Sequence, residues 1–149
     1  MRKQILILGT FALPLTLALA LYAAGPEITV YKLSTCGCCM KWVEHLKKNG
    51  FQVTVNEVPD VAGYKRQFGV PKELESCHTA VVEGYTIEGH VPASEILRLL
   101  KEKPVAKGLA VPGMPLGSPG MEASRKDAYD VLLFDADGKT SVYQHYAGN

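Results

Sequence analysis

The chain has no excess of charge of either sign: 16 lysines and arginines face 15 aspartates and glutamates, a formal net charge of +1. Two of the positive charges, Arg2 and Lys3, lie at the extreme N-terminus, which leaves 14 basic against 15 acidic residues in the remainder. Nucleic-acid binding needs a clustered basic face, and none is present, so that class is set aside. With 149 residues there is room for one compact domain and little more. Disorder is also excluded, because 47% hydrophobic against 21% charged is the balance of a globular chain. Cysteine is scarce and unevenly spread. Of four, three fall within Cys36-Gly37-Cys38-Cys39, and Cys77 stands alone. Two structural bridges would put at least one bond inside that cluster. Such a bond closes almost no loop and constrains the unfolded chain very little; a Cys38–Cys39 bridge would be strained as well. Stapling is a poor explanation for this spacing.

The N-terminus reads as an address. Arg2 and Lys3 precede an apolar, uncharged run from Ile5 to Ala24, the arrangement of a secretory signal. Ala18-Leu19-Ala20 fits a small-x-small cleavage site, with Ala23-Ala24 a second choice. Residues 1–24 are therefore expected to be a cleaved leader and 25–149 a single exported domain. An uncleaved membrane anchor is the rival, since about twenty apolar residues just span a bilayer. Gly9, Thr10, Pro14 and Thr16 dilute the run and favour cleavage. Either outcome puts the folded part outside the cytoplasm, in an α/β periplasmic domain of the following order.

Glu27 to Leu33 is rich in β-branched and aromatic residues and predicts a strand. Ser34 to Gly37 is a turn. From Cys38 to Asn49 the residues Met40, Trp42, Val43 and Leu46 recur at helical spacing, and Asn49-Gly50 stops the helix. Phe51 to Val58 alternates as a second strand. Asp60 is placed to cap a short helix through Phe68. Thr79 to Glu83 and Thr86 to His90 predict a hairpin about Gly84. Ser94 to Lys101 predicts a helix capped by Ser94. The resulting β-α-β-α-β-β-α order is thioredoxin-like, and the cysteine cluster contains a C-x-x-C at the entrance to the first helix. Lys107 to Ser124 is dense in glycine and proline, has no strand or helix period, and predicts a long loop of the functional kind. Tyr129 to Phe134 and Thr140 to Tyr146 predict a C-terminal β-hairpin around Asp137-Gly138, which either extends the sheet or clasps the loop.

Thiolate sulfur is a soft ligand that selects Cu(I), zinc and iron–sulfur clusters over hard cations. Cysteines at a helix N-terminus lose their proton easily, because the helix dipole favours the anion. Gly37 is expected to let the backbone fold tightly there. In thioredoxin folds the loop entering the third strand packs against the C-x-x-C turn, and redox members carry a cis-proline in it. Here that place holds Ser76-Cys77-His78-Thr79, with no proline adjoining the strand. Two metal-ligand side chains replace the residue that shapes a disulfide-exchange site, and the fold is expected to bring Cys77 and His78 to Cys36 and Cys39. The loop adds two Pro-Gly-Met units, Pro112-Gly113-Met114 and Pro119-Gly120-Met121. Thioether sulfur is a good Cu(I) ligand and a poor zinc ligand; loop methionines also serve as packing anchors.

Taken together, Cys36-Gly37-Cys38-Cys39 followed by Trp42, Gly69-Val70-Pro71, Ser76-Cys77-His78-Thr79-Ala80, Gly84-Tyr85, Ile87-Glu88-Gly89-His90-Val91-Pro92, and Gly108 through Pro115 with Gly117 through Glu122 form one ordered set. The chain resembles the CopG-type family of bacterial copper-resistance proteins, long described as a domain of unknown function. The resemblance implies a periplasmic, thioredoxin-like protein that binds several Cu(I) ions in a cysteine-rich cluster and contributes to copper handling.

The candidate ligands are thus Cys36, Cys38, Cys39, Cys77 and His78, with His90, Met114 and Met121 divided between site and structural duty. His45 is expected to face solvent, His145 to be structural or superficial, and Met40 and Trp42 to belong to the core, Trp42 with a possible role in shielding the cluster. Copper ions are the expected cargo, and other periplasmic copper-handling proteins the expected partners; a membrane enters only with an uncleaved leader. Three functional readings stay open. One is a binder that sequesters or relays Cu(I). The second is an oxidoreductase, cycling copper or exchanging thiols through Cys36 and Cys39. The third is zinc in a Cys3His site, against which the methionine pair tilts.

Overall fold

A computed structural model describes residues 25–149; the expected leader lies outside the described residues. Eleven short elements follow in order. Strand β1 (Glu27–Lys32) leads into helix α1 (Gly37–Lys48), then β2 (Gln52–Glu57), α2 (Ala62–Gln67) and a 3-10 turn (Lys72–Leu74). Next come β3 (Thr79–Val82), β4 (Tyr85–Gly89), α3 (Ala93–Glu102), β5 (Gly108–Val111), β6 (Tyr129–Phe134) and β7 (Thr140–Tyr146). The mixed α/β class and the β-α-β-α-β-β-α order are those read from the sequence. Among the described residues no helix is long and apolar enough to cross a membrane.

All seven strands join one sheet in the order β2-β1-β3-β4-β5-β6-β7. The β1–β2 and β4–β5 pairs are parallel and the others antiparallel. Alternation along the strands divides the apolar residues between two faces. Ile28, Val30, Ala80, Ile87, Leu109 and Val131 point to the face covered by α1 and α3, where Trp42, Val43, Leu46, Ile96 and Leu99 complete the main core. The opposite face carries Ala110 and Phe134 against Val70 and Leu74. There Tyr31 also stacks on Tyr64 of α2 at 4.4 Å.

Several local expectations are corrected. Gly108–Val111 is a strand, not loop: all four residues are buried, paired parallel with β4 and antiparallel with β6. A strand buried on both faces reads as a continuous apolar run, so it carries no two-residue period for sequence reading to find. Ser94 does not cap α3. The helix begins one residue earlier with Pro92 in the capping position, and the Ser94 hydroxyl donates to Glu95. Asp60 accepts the Ala62 amide, 3.0 Å, but the capping position of α2 is Val61, one residue later than expected. Met40 is not core but 37% exposed, whereas Trp42 is fully buried. Of its two expected roles, the terminal hairpin takes the first. It extends the sheet through β6, while the tail beyond it is tied to the segment that follows the loop, with the Asn149 amide donating to the Lys126 carbonyl and the Lys126 amide to Asn149 Oδ1.

The sheet leaves no room beside Gly108, where an added Cβ would overlap the backbone carbonyl of Thr86 on the neighbouring strand. Gly108→Ala is therefore expected to cost about 1–3 kcal/mol or more by overpacking. It should lower the denaturant midpoint with an unchanged slope, whereas an unshifted midpoint would contradict the close β4–β5 packing.

Candidate metal centre

The site forms where three pieces of chain meet at one end of the sheet. The first is the start of α1. Cys36 occupies the capping position with an extended backbone and makes no side-chain cap. Cys38 and Cys39 lie in the first turn; Cys39 is buried, while Cys36 and Cys38 are partly exposed. Gly37 has open space where a Cβ would be and no positive φ. Tight folding is thus not what requires glycine at that position, a correction to the sequence reading.

In this structure Cys36 and Cys39 are joined as a disulfide across one helical turn, Cα–Cα 5.4 Å, and Cys38 and Cys77 are free. The bond spans three residues and staples nothing at a distance, so it adds little to fold stability. Cys36 Sγ lies 3.5 Å from Cys38 Sγ.

The second piece is the loop entering β3. Because β3 pairs antiparallel with β1, Thr79 stands opposite Tyr31, and the loop ahead of β3 meets the turn that follows β1. The sulfurs of Cys36, Cys38, Cys39 and Cys77 all lie within 4.8 Å of one another. The expected convergence of distant cysteines is what the structure contains.

The third piece follows β4. His90 is buried, with Nε2 3.0 Å from Cys77 Sγ and Nδ1 2.7 Å from the carbonyl of Pro119. A carbonyl only accepts, so Nδ1 carries the proton and Nε2 presents its lone pair to the sulfur. A ligand imidazole is commonly oriented in this way by the group behind it. His78 is also fully buried, its Nδ1 3.3 Å from the same sulfur and its Nε2 without a hydrogen-bond partner among the described residues. Its ring lies 4.3 Å from that of Trp42 and 5.1 Å edge-on to that of His90. Trp42 in turn donates Nε1–H to the Val91 carbonyl at 2.8 Å, fixing α1 to the segment after His90.

Two donor groups therefore exist, one of four sulfurs and one of Cys77 with His78 and His90, and Cys77 belongs to both. The orphaned, buried His78 nitrogen and the sulfur–imidazole donor set fit a soft or borderline cation such as Cu(I) or zinc. They do not fit a hard one.

The two Pro-Gly-Met units both lie against this centre. Gly113 O accepts the Ser76 hydroxyl, 2.5 Å. Gly120 (φ +88) packs so closely that an added Cβ would stand 2.7 Å from Cys38 O and 3.2 Å from His90 Nδ1. Met114 is half exposed and Met121 partly so, and neither joins a core cluster. His45 departs from its expected solvent-facing place. It is half-buried, and its Nε2 accepts the Ala93 amide at the start of α3, 3.1 Å. His145 lies at the surface beside Asp130, as expected, 2.7 Å. Reading the sequence missed Lys65, Ser76 and Glu88 behind the site. The one available signal was an acidic residue inside the Tyr85–Gly89 strand, which carries no other charge.

Burial pushes the Cys77 thiol up to about 12, with Cys38 adding to the shift. Burial likewise lowers His90, and it lowers His78 far below its ordinary value, helped by His90 and Lys65. The Cys77, His78 and His90 group is thus neutral without a cation.

A family described as "Protein of unknown function, DUF411" matches residues 74–121, a span that holds Cys77, His78, His90, Met114 and Met121 but not the first cysteine cluster. Two solved structures, both of a copper resistance protein CopG in forms 1 and 2, are similar over nearly their whole length. They are 47% and 46% identical, with TM-scores of 0.78 and 0.79, covering 82% of this chain and 98% of each of theirs. No curated protein sequence matches.

Acid should weaken the metal-free fold. Below the ordinary histidine value of 6.5 the unfolded chain takes up protons that buried His78 and His90 refuse, so stability falls as pH falls. Glu88, pushed upward by burial, acts in the opposite sense from its ordinary 4.5 upward, so the effect is read between about pH 7.5 and 5.5. A thermal midpoint several degrees lower at the acid end is expected; a flat profile would contradict the buried neutral imidazoles.

Proposed function

The chain belongs to the CopG-type copper-resistance family, and from that premise we propose that it holds Cu(I), more than one ion per chain, at Cys36, Cys38, Cys39, Cys77, His78 and His90. Met114 and Met121 supply thioether sulfur at the rim, and the site works in the periplasm, sequestering or relaying cuprous ion for copper resistance. The observation that carries this reading is that Cys77 is common to both donor groups. A thiolate has several lone pairs and bridges ions readily, so a sulfur shared by two ligand sets favours a multinuclear site over two separate ones.

Loading proceeds in two steps by this chain's own residues. The Cys36–Cys39 disulfide first takes up two electrons and two protons from a thiol reductant, giving four thiols in one place. Each cuprous ion then displaces thiol protons, so apparent affinity rises with pH. Cys77, whose thiol is held protonated to about 12 without metal, gives up its proton only to a cation that replaces it. Trp42 and the Gly120 backbone close the inner side of the centre, while partly exposed Cys36, Cys38 and Cys77 leave the outer side open for exchange with another copper-handling protein.

The disulfide itself favours a second reading, an oxidoreductase. Two thiolates of the Cys36–Cys39 pair give two electrons to two Cu(II), yielding two Cu(I) and the disulfide. The balance is complete without a further reactant, and the product ions find the remaining donors at hand.

One experiment separates these readings. Protein isolated without added reductant is analysed for metal and for free thiol, beside the variant with Cys36, Cys38, Cys39 and Cys77 all replaced by serine. Several copper ions per wild-type chain and none in the folded variant are expected. Full copper in the variant would end the proposal. Disulfide formed in step with Cu(II) reduction would select the redox reading.

A further inference from the structure

Behind the centre lies an ion pair that the copper site as described does not use. Glu88 on β4 is fully buried, and Lys65 of α2 is 2% exposed; Lys65 Nζ stands 2.5 Å from Glu88 Oε1. Ile87 points into the main core under α1 and α3, so alternation turns Glu88 to the other face of the sheet, where α2 lies. Burying two charges costs more desolvation than their attraction returns unless the geometry does something else, and apolar residues of similar size commonly replace such pairs without loss. Stability alone does not account for this pair.

Its further contact does. The same Glu88 oxygen accepts the backbone N–H of Ser76, 2.5 Å, one residue before Cys77. The next residue of the strand, Gly89, donates its amide to the His78 carbonyl at 3.1 Å. The next again, His90, places Nε2 3.0 Å from Cys77 Sγ. Three consecutive residues after Ile87 thus grip the consecutive residues Ser76, Cys77 and His78. The contact is close: at Gly89 (φ +70) an added Cβ would stand 2.7 Å from the Ser76 side chain and 2.5 Å from the Val111 carbonyl.

We infer that Glu88, held in place by Lys65, is a positioning residue for the copper site, fixing the backbone ahead of Cys77 so that its sulfur is shared by both donor groups. This rests on the copper reading above. Glu88 touches no ion; it acts through the Ser76 amide. Lys65 supplies the counter-charge that keeps the carboxylate buried and aimed.

The test compares Cu(I) affinity and stoichiometry, by anaerobic competition with a chromogenic Cu(I) chelator, in reduced full-length wild type, Cys77→Ser and two double variants. In Lys65→Met/Glu88→Leu the pair becomes apolar and the Ser76 amide loses its acceptor. In Lys65→Met/Glu88→Gln the charges go but an acceptor oxygen stays. The first double variant is expected to bind Cu(I) about 10–100-fold more weakly, the range for groups that orient metal ligands, with a thermal midpoint near wild type. The second should recover most of the affinity. Wild-type affinity in the leucine variant, or equal losses in both, overturns the inference while Cys77→Ser still reports the site. Wild-type binding by Cys77→Ser would instead overturn the copper reading. Should the leucine variant not fold, Ser76→Pro removes the donor and leaves the pair intact; the same loss is expected, and full affinity there overturns the inference.

Discussion

Everything distinctive about this protein depends on the antiparallel pairing of β1 with β3. That pairing sets Thr79 opposite Tyr31, and so delivers the loop before one strand to the turn after the other. Without it Cys77 would be a lone cysteine and Cys36-Gly37-Cys38-Cys39 an exposed redox turn. With it, four sulfurs share one small volume, and the β4 strand adds His90 from the far side. The sheet is thus a device for bringing distant ligands together, and the helices α1 and α3 seal the inner face of that assembly.

Much of this was legible in the chain itself, for identifiable reasons. Helix α1 announces itself because Trp42, Val43 and Leu46 fall on one stripe. The cysteine convergence follows once the element order is read, since order and antiparallel pairing together place the third strand's entrance beside the first helix. What stayed hidden was information that lies between elements. Strand β5 carries no alternation, being buried on both faces. His45 looked solvent-facing from its helix position, yet the Ala93 amide it meets belongs to a helix 48 residues away. Glu88 and Lys65 are 23 residues apart, and although an acidic residue within a strand stands out, nothing local pairs it with Lys65. The spacing of Cys36 and Cys39 admits disulfide chemistry without requiring it; the structure contains the bond, which gives the centre two oxidation states.

The electrostatics of the centre are consistent with a site that waits for a cation. Burial keeps the Cys77 thiol protonated and both neighbouring imidazoles neutral, so no uncompensated charge sits among apolar walls. A soft monovalent cation that displaces a thiol proton leaves the net charge unchanged, and that exchange is inexpensive in a low-dielectric interior where separated charges are costly. The Pro-Gly backbone of the long loop complements this by closing over Cys38 and His90 with no side chain in the way, which is what the positive φ of Gly120 and its close neighbours require of that residue.

In the proposed copper site, sulfur from the loop and sulfur from the helix share the same ions. X-ray absorption at the copper edge, on reduced protein loaded with Cu(I), reads this directly. Shared ions require a nearest shell dominated by sulfur and a second, short copper–copper vector that disappears when Cys77 is replaced by serine. A shell of nitrogen and oxygen alone, or a copper–copper vector indifferent to Cys77, would contradict it.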